Sequence, residues 1–182
     1  MNLKELLFGR KQSDADRDLT ADLRAKAEDG DAHAQNELGR AFFLGLFGLA
    51  KDEAESARWF RMAAEQGDAA AQYNLGWRYA DGRGVPTDKT EAVKWYRKAA
   101  EQNHPDAQAH LGYCYYTGTG VEKDWAEAYK WEDLARAQGR HGLSKTVIAR
   151  LEKVLSADQL AKGKKLSNDF KTTVIGRKQQ PR

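Results

Sequence analysis

Residues 69–102 read AAAQYNLGWRYADGRGVPTDKTEAVKWYRKAAEQ, and this stretch decides the fold because the chain repeats its landmarks on both sides. A Leu-Gly pair begins at Leu38, Leu75 and Leu111, in steps of 37 and 36 residues. Tryptophans follow at a constant spacing of 36 residues, at Trp59, Trp95 and Trp131. The Leu-Gly pairs and the tryptophans thus recur at nearly the same spacing, which indicates a repeat protein in which each unit packs on its neighbours.

Each unit is predicted to form two helices joined by a glycine-rich turn. In the central unit Asp68 is expected to cap a first helix that runs to about Ala80. Gly82 then permits the left-handed backbone that ends a helix. Pro105 lies where the next first helix begins, a position that tolerates proline because its missing N–H has no helical acceptor there.

The second helix of each unit begins with an Asp that is followed three residues later by a Glu. These pairs are Asp52 with Glu55, Asp88 with Glu91, and Asp124 with Glu127. The spacing predicts a capping box, in which the Asp accepts from the first-turn N–H groups and the Glu reaches back to the N–H of the Asp. Ser156 and Gln159 have the same spacing near the C-terminal end.

A glycine inside each first helix predicts a close helix contact. Gly39, Gly76 and Gly112 each cost roughly 1 kcal/mol relative to alanine inside a helix. Close approach of the second helix would offset that cost. We expect the tryptophan of the second helix and Phe42, Tyr79 or Tyr115 of the first helix to fill the space around the contact.

The combined pattern A-Q-x-x-L-G-x-x-Y, G-x-G-V-x-x-D and A-x-x-W-Y-x-x-A-A resembles the Sel1-like repeat, a relative of the tetratricopeptide repeat. The resemblance covers about residues 31–139. It implies an all-α fold, an α-solenoid of antiparallel helix pairs that winds into a superhelix. It also implies an adaptor, scaffold or regulatory binding module, commonly bacterial.

The predicted organisation is three repeat units between atypical ends, since a solenoid needs caps that close its core. Leu19, Leu23 and Ala27 are spaced one helical turn apart and predict a leading half-repeat. The segments are an N-terminal segment of residues 1–12, expected to be mobile, the half-repeat 13–30, the repeats 31–67, 68–103 and 104–139, capping helices 140–171, and a basic tail 172–182.

The tetratricopeptide-like geometry implied by the resemblance places a concave groove along the first helices. The residues predicted to bind a partner there are Asn36, Arg40, Phe43, Tyr73, Asn74, Trp77, His110, Tyr113 and Tyr116. Tyr, Trp and Arg are enriched at binding hot spots, and Arg40 and Arg78 are expected to flank the aromatic strip. The alternative is that several of these rings only pack between neighbouring first helices.

Charge is distributed unevenly along the chain. Residues 1–139 carry 19 Lys and Arg against 24 Asp and Glu, a net charge of −5, whereas residues 140–182 carry 11 against 3, a net charge of +8. A basic end could bind nucleic acid or an anionic membrane, or could be a solvated cap. The side chains in question are Lys162, Lys164, Lys165, Lys171, Arg177 and Lys178. We do not expect nucleic acid to be the main partner.

The sequence predicts no catalytic centre, no cofactor and no metal site. Its four histidines lack metal-ligand spacing, and the recurring Asp and Glu residues are explained as helix caps. A lone cysteine, Cys114, and the lack of a long apolar run favour the cytoplasm. We therefore predict that the chain is a protein-binding scaffold or adaptor rather than an enzyme. Its predicted partner is another protein or peptide.

Two alternatives stay open at this point. The chain could be a regulatory or immunity-type inhibitor of a cognate protein, which belongs to the same binding class. Separately, Leu3, Leu6, Leu7 and Phe8 form an amphipathic stretch that could dock on the body of the protein, on a partner or on a membrane surface.

Overall fold

The computed structural model describes residues 14–140 and 142–175, and within these ranges all regular structure is helical. The helices are α1 Asp14–Glu28, α2 Ala32–Leu44, α3 Glu53–Glu65, α4 Ala69–Asp81, α5 Lys89–Glu101, α6 Pro105–Thr117, α7 Trp125–Ala137, α8 Gly142–Val154 and α9 Ala157–Phe170. A π-helical turn, Lys171–Ile175, follows α9. The predicted mobile segment 1–12 lies outside the described residues, as do residues 176–182 of the tail.

The helices form the predicted all-α solenoid. Each helix from α1 to α7 packs against the next one along the chain, and α9 turns back to pack on α7. We refer to α2, α4 and α6 as first helices and to α3, α5 and α7 as second helices. The repeating core is built on the leucine of each Leu-Gly pair, because Leu38, Leu75 and Leu111 are all fully buried.

The predicted caps of the first helices are confirmed. The carboxylate of Asp68 accepts from the N–H of Ala71, and His104 Nδ1 accepts from the N–H of Ala107 at the equivalent position. Pro105 occupies the first turn of α6. These caps leave His104 with a structural role at the start of the helix.

The capping boxes of the second helices are only half formed. Asp88 accepts from the N–H of Glu91 as predicted, but its own N–H donates to the carbonyl of Tyr79 at 2.9 Å. Glu91 therefore has no N–H to reach back to, and it pairs with Lys94 at 2.9 Å instead. The same arrangement occurs at the other two second helices. The box at Ser156 is complete, because the N–H of that cap donates to Gln159 Oε1 at 3.0 Å.

Close approach at the helical glycines is confirmed, and the side chain that meets each glycine belongs to the residue after the tryptophan. A Cβ on Gly76 would lie 2.7 Å from the ring of Tyr96, and one on Gly39 would lie 2.9 Å from Phe60. These rings belong to the residue after each tryptophan, which points about 100° away around the helix. Trp95 instead joins a core cluster with Phe60 and Leu75.

The C-terminal cap is held by a buried carboxylate. Asp133 on α7 accepts hydrogen bonds from Ser167 Oγ and Lys171 Nζ, each at 2.7 Å, and from Arg136 at 2.7 Å. Gly163 lets α9 approach the side chain of Tyr129, because any Cβ there would lie 3.0 Å from it. Asp133 therefore joins the last unit to its cap through a contact that has no counterpart in the other units, so the repeat pattern does not indicate it.

Candidate functional site

The first helices lie side by side, and the surface that they share is named here the first-helix face. Asn74 Nδ2 on α4 donates to Asn36 Oδ1 on α2 at 3.0 Å. The rings of Phe43 and Trp77 meet edge to face with centroids 5.5 Å apart. The structure thus brings residues of the predicted groove together across neighbouring units.

Two of the side chains predicted on α2 have different environments. Asn36 was expected to face outward, but it is buried because its amide bridges to Asn74. Arg40 is exposed and pairs with Glu37 one turn earlier at 2.9 Å. Of these two, only Arg40 is accessible to a partner.

Arg78 is not a flanking charge, contrary to the prediction. Its side chain is 1% exposed, with the guanidinium 3.8 Å from the ring centroid of Phe43 and 4.9 Å from that of Trp77. It occupies the register position of Ala41 and Cys114, which are also buried. Burial lowers the pKa of Arg78 to about 10, and its cation contributes to packing between the first two repeats.

A second aromatic cluster joins the second and third repeats. The ring of Tyr73 stacks on His104 with centroids 5.0 Å apart and meets His110 edge-on at 5.3 Å. Burial raises the pKa of Tyr73 and lowers the pKa of His104. These rings pack between neighbouring repeats, as the alternative to partner binding predicted, because Tyr73 of the second repeat contacts His104 and His110 of the third.

Tyr113 is the most exposed aromatic side chain of the face. It is 44% exposed, whereas Tyr116 is half-buried against the core. Tyr113 stands at the register position of Arg40 and Trp77, separated by 37 and 36 residues. Arg40 and Tyr113 are therefore equivalent residues at which two units present side chains to solvent.

The structure also bears on the other candidate sites. Within residues 14–140 and 142–175, His, Cys, Asp and Glu form no group of three suited to a metal ion. Burial raises the pKa of Cys114 to about 11, so its thiolate form is scarce at neutral pH. None of the described helices combines the length and apolar character needed to cross a membrane.

The basic end is less concentrated than the sequence suggested. Lys162, Lys164 and Lys165 are exposed on α9, but Lys171 is engaged by Asp133. The remaining predicted cations, Arg177 and Lys178, lie outside the described residues. Lys171 is therefore a structural contact rather than a free phosphate-binding group.

Comparison with known families agrees with this geometry. The sequence pattern of the Sel1 repeat matches residues 32–68, 69–104 and 105–139, more than half of the chain. The chain belongs to the Sel1 repeat family. Each matched range contains one first helix and one second helix, so the antiparallel pair described above is the Sel1 repeat itself.

Solved Sel1 repeat structures share this architecture. A Sel1 repeat protein from Oxalobacter formigenes is 45% identical and superposes with a TM-score of 0.66 over 74% of this chain and 98% of its own. A protective antigen of uropathogenic Escherichia coli with an SLR fold is 28% identical, with a TM-score of 0.64 over 99% of this chain and 47% of its own.

A curated plant protein is similar over a shorter range. The ERAD-associated E3 ubiquitin-protein ligase component HRD3A of Arabidopsis thaliana is 34% identical over 62 residues. These residues are 34% of this chain and only 9% of the plant protein. The similarity therefore concerns repeat units within a much longer chain.

Proposed function

We propose that this chain is a protein-binding scaffold that engages a protein or peptide through its first-helix face. The observation that carries the proposal is the exposure of Tyr113 among rings that otherwise pack between units. A tyrosine offers a large rigid surface and a hydroxyl group at low entropic cost, which is why tyrosines are frequent at binding hot spots. Membership of the Sel1 repeat family supports a binding role without catalysis.

Packing within the face supports a preformed site. The Phe43–Trp77 and Tyr73–His110 contacts fix neighbouring first helices relative to each other. A partner that binds Tyr113 would then meet a surface that is already ordered, so less conformational entropy is lost on binding. The predicted site residues thus divide into supporting side chains and a smaller contact set, with Arg40 and Tyr113 in the contact set.

The test is affinity capture from the native extract with matched charge-reversal variants, read out by quantitative mass spectrometry. Arg40→Glu should lose a partner that the unmodified chain retains. Arg58→Glu is the control, because Arg58 on α3 pairs with Glu55 at 2.9 Å and is 52% exposed, against 2.9 Å and 51% for Arg40. A partner lost equally from both variants would contradict binding at the first-helix face.

The partner's role separates an adaptor from a regulatory or immunity-type inhibitor, and the captured protein would distinguish them. An enzyme or toxin whose activity falls on binding indicates an inhibitor, whereas a component of a larger assembly indicates a scaffold. A cytoplasmic location is also included in the proposal, supported by a single cysteine that has no second cysteine to pair with.

A further inference from the structure

Within the repeats, each first helix fills a trough formed by the next two helices. The clearest case is Tyr73 on α4, which packs against Tyr96 of α5 and against His104 and His110 at α6, with centroid distances of 5.9, 5.0 and 5.3 Å. A trough of this kind recurs wherever a second helix is followed by a first helix.

The same trough exists between α1 and α2, where no first helix precedes α1 within residues 14–140 and 142–175. Two repeat lengths, one of 36 and one of 37 residues, separate equivalent positions of the second repeat and the N-terminal end. The equivalents of Tyr96, His104 and His110 are Leu23, Asp31 and Glu37, respectively. These three equivalents all line a cavity of about 420 Å³ at the N-terminal end of the solenoid. The cavity is thus the place that a preceding first helix would fill.

Burial along α1 identifies the uncovered surface. Leu19 is the register equivalent of Ser56, which is fully buried against the first helix of its own unit, where its hydroxyl donates to the carbonyl of Gly39. Leu19 itself is 49% exposed and lines the cavity. An apolar side chain at a position that is normally covered indicates that a further segment covers it.

The turn after α2 adds apolar side chains at the same end. Exposed Leu44 and Leu46 replace Asp81 and Arg83 of the second repeat. This turn lies against α1, since Thr20 Oγ1 donates to the carbonyl of Phe47 at 3.1 Å, and Phe47 also lines the cavity. The first repeat is therefore more apolar than the other repeats on the side that faces the chain's N-terminus.

We propose that the chain's own residues 1–13 occupy this trough, with Leu3, Leu6, Leu7 and Phe8 covering Leu19, Leu23 and Phe47. Residues 9–13 can span at most roughly 17 Å, and Leu19 lies about 7.5 Å along α1 from Asp14. The apolar stretch is thus long enough to reach the cavity from the start of α1.

Charge favours this occupant over a second copy of the same acidic end. Residues 1–13 carry three basic side chains and one acidic, a net charge of +2, whereas residues 14–31 carry seven acidic and three basic, a net charge of −4. Asp22, Asp31 and Glu37 line the cavity together with Lys26, which pairs with Asp22 at 2.7 Å. The lining therefore keeps a net negative charge that Lys4, Arg10 and Lys11 would complement. Docking here would close the solenoid core and protect its end from self-association.

The test is paramagnetic relaxation in the full chain, with a nitroxide at Asn2→Cys and with Cys114→Ala removing the native thiol. Alanine is suitable because Ala41 occupies the equivalent position of the first repeat. We expect the amide signals of Leu23 and Ala34 to lose most of their intensity, while those of α7 are retained. Leu6→Asp combined with Leu7→Asp should restore the lost signals and leave the helical circular dichroism unchanged.

Two further measurements distinguish the competing occupants. If the same signals broaden when spin-labelled chains without ¹⁵N are mixed with ¹⁵N-labelled chains without a spin label, a second copy fills the trough and the proposal is wrong. If the amide signals of Leu23 and Ala34 stay sharp in the spin-labelled chain, the proposal is also wrong. Binding to phosphatidylcholine–phosphatidylglycerol vesicles that depends on Leu6 and Leu7 would then identify a membrane contact instead.

Discussion

Gly84→Ala is expected to lower the free energy of unfolding by about 2–5 kcal/mol, the largest effect that we predict for one added methyl group. A left-handed residue with a Cβ costs about 1–2 kcal/mol, and overpacking adds about 1–3 kcal/mol. Gly84 has a φ of +73°, and its Cβ would overlap the backbone carbonyl of Glu53 at the start of α3. Backbone cannot rotate away as a side chain can, so the two repeats must separate.

Gly118→Ala is the matched control for this substitution. Gly118 has a φ of +77°, but the nearest atom to an added Cβ is 3.6 Å away, in the side chain of Lys123. This control should show only the conformational cost of about 1–2 kcal/mol. Urea denaturation of both variants measures the difference, and equal losses of stability would show that the turn does not hold the two repeats together.

Asp133→Asn is expected to lower the free energy of unfolding by about 1.5–3 kcal/mol at neutral pH, because it removes the charge that three donors share. Burial alone would raise the pKa of Asp133, but hydrogen bonds from Lys171, Ser167 and Arg136 outweigh it and hold the pKa below its usual value. A carboxylate with a lowered native pKa stabilises the fold above its unfolded pKa, about 3.9.

The sign of this effect with pH follows from the lowered pKa. The stability difference between the unmodified chain and Asp133→Asn should be constant from neutral pH to about 5 and should shrink as pH falls through the native pKa. Asp169→Asn, on the exposed surface of α9, should stay within about 0.5 kcal/mol. A difference that grows on acidification would contradict the assigned role of Asp133.

The fold follows from the sequence because its signals are local and repeated. Asp68, Gly82 and Pro105 each specify a helix end through short-range geometry, and three copies of the pattern remove ambiguity about register. The helical glycines indicate close contacts for the same reason. The sequence does not indicate which side chain meets the glycine, because two adjacent residues, such as Trp95 and Tyr96, are both large, and only packing decides which one lies against it.

The candidate site was predictable in position but not in accessibility. Register places Arg40, Trp77 and Tyr113 on the same surface, yet Phe43 of the neighbouring repeat partly covers Trp77, whereas Tyr113 stays exposed. The burial of Arg78 depends on rings contributed by the preceding repeat, which no single unit reveals. The Asp133 contacts to Ser167 and Lys171 have no repeated counterpart and carry no sequence signal.

The proposed binding role of the first-helix face is tested most directly by titrating the captured partner against three proteins in a calorimeter. Tyr113→Ala should weaken binding by about 2 kcal/mol, roughly thirtyfold in Kd, as expected for loss of a hot-spot tyrosine. Val154→Ala, an exposed apolar residue on α8, should change Kd by no more than about twofold. Equal Kd values for the unmodified chain and Tyr113→Ala would contradict the proposed site.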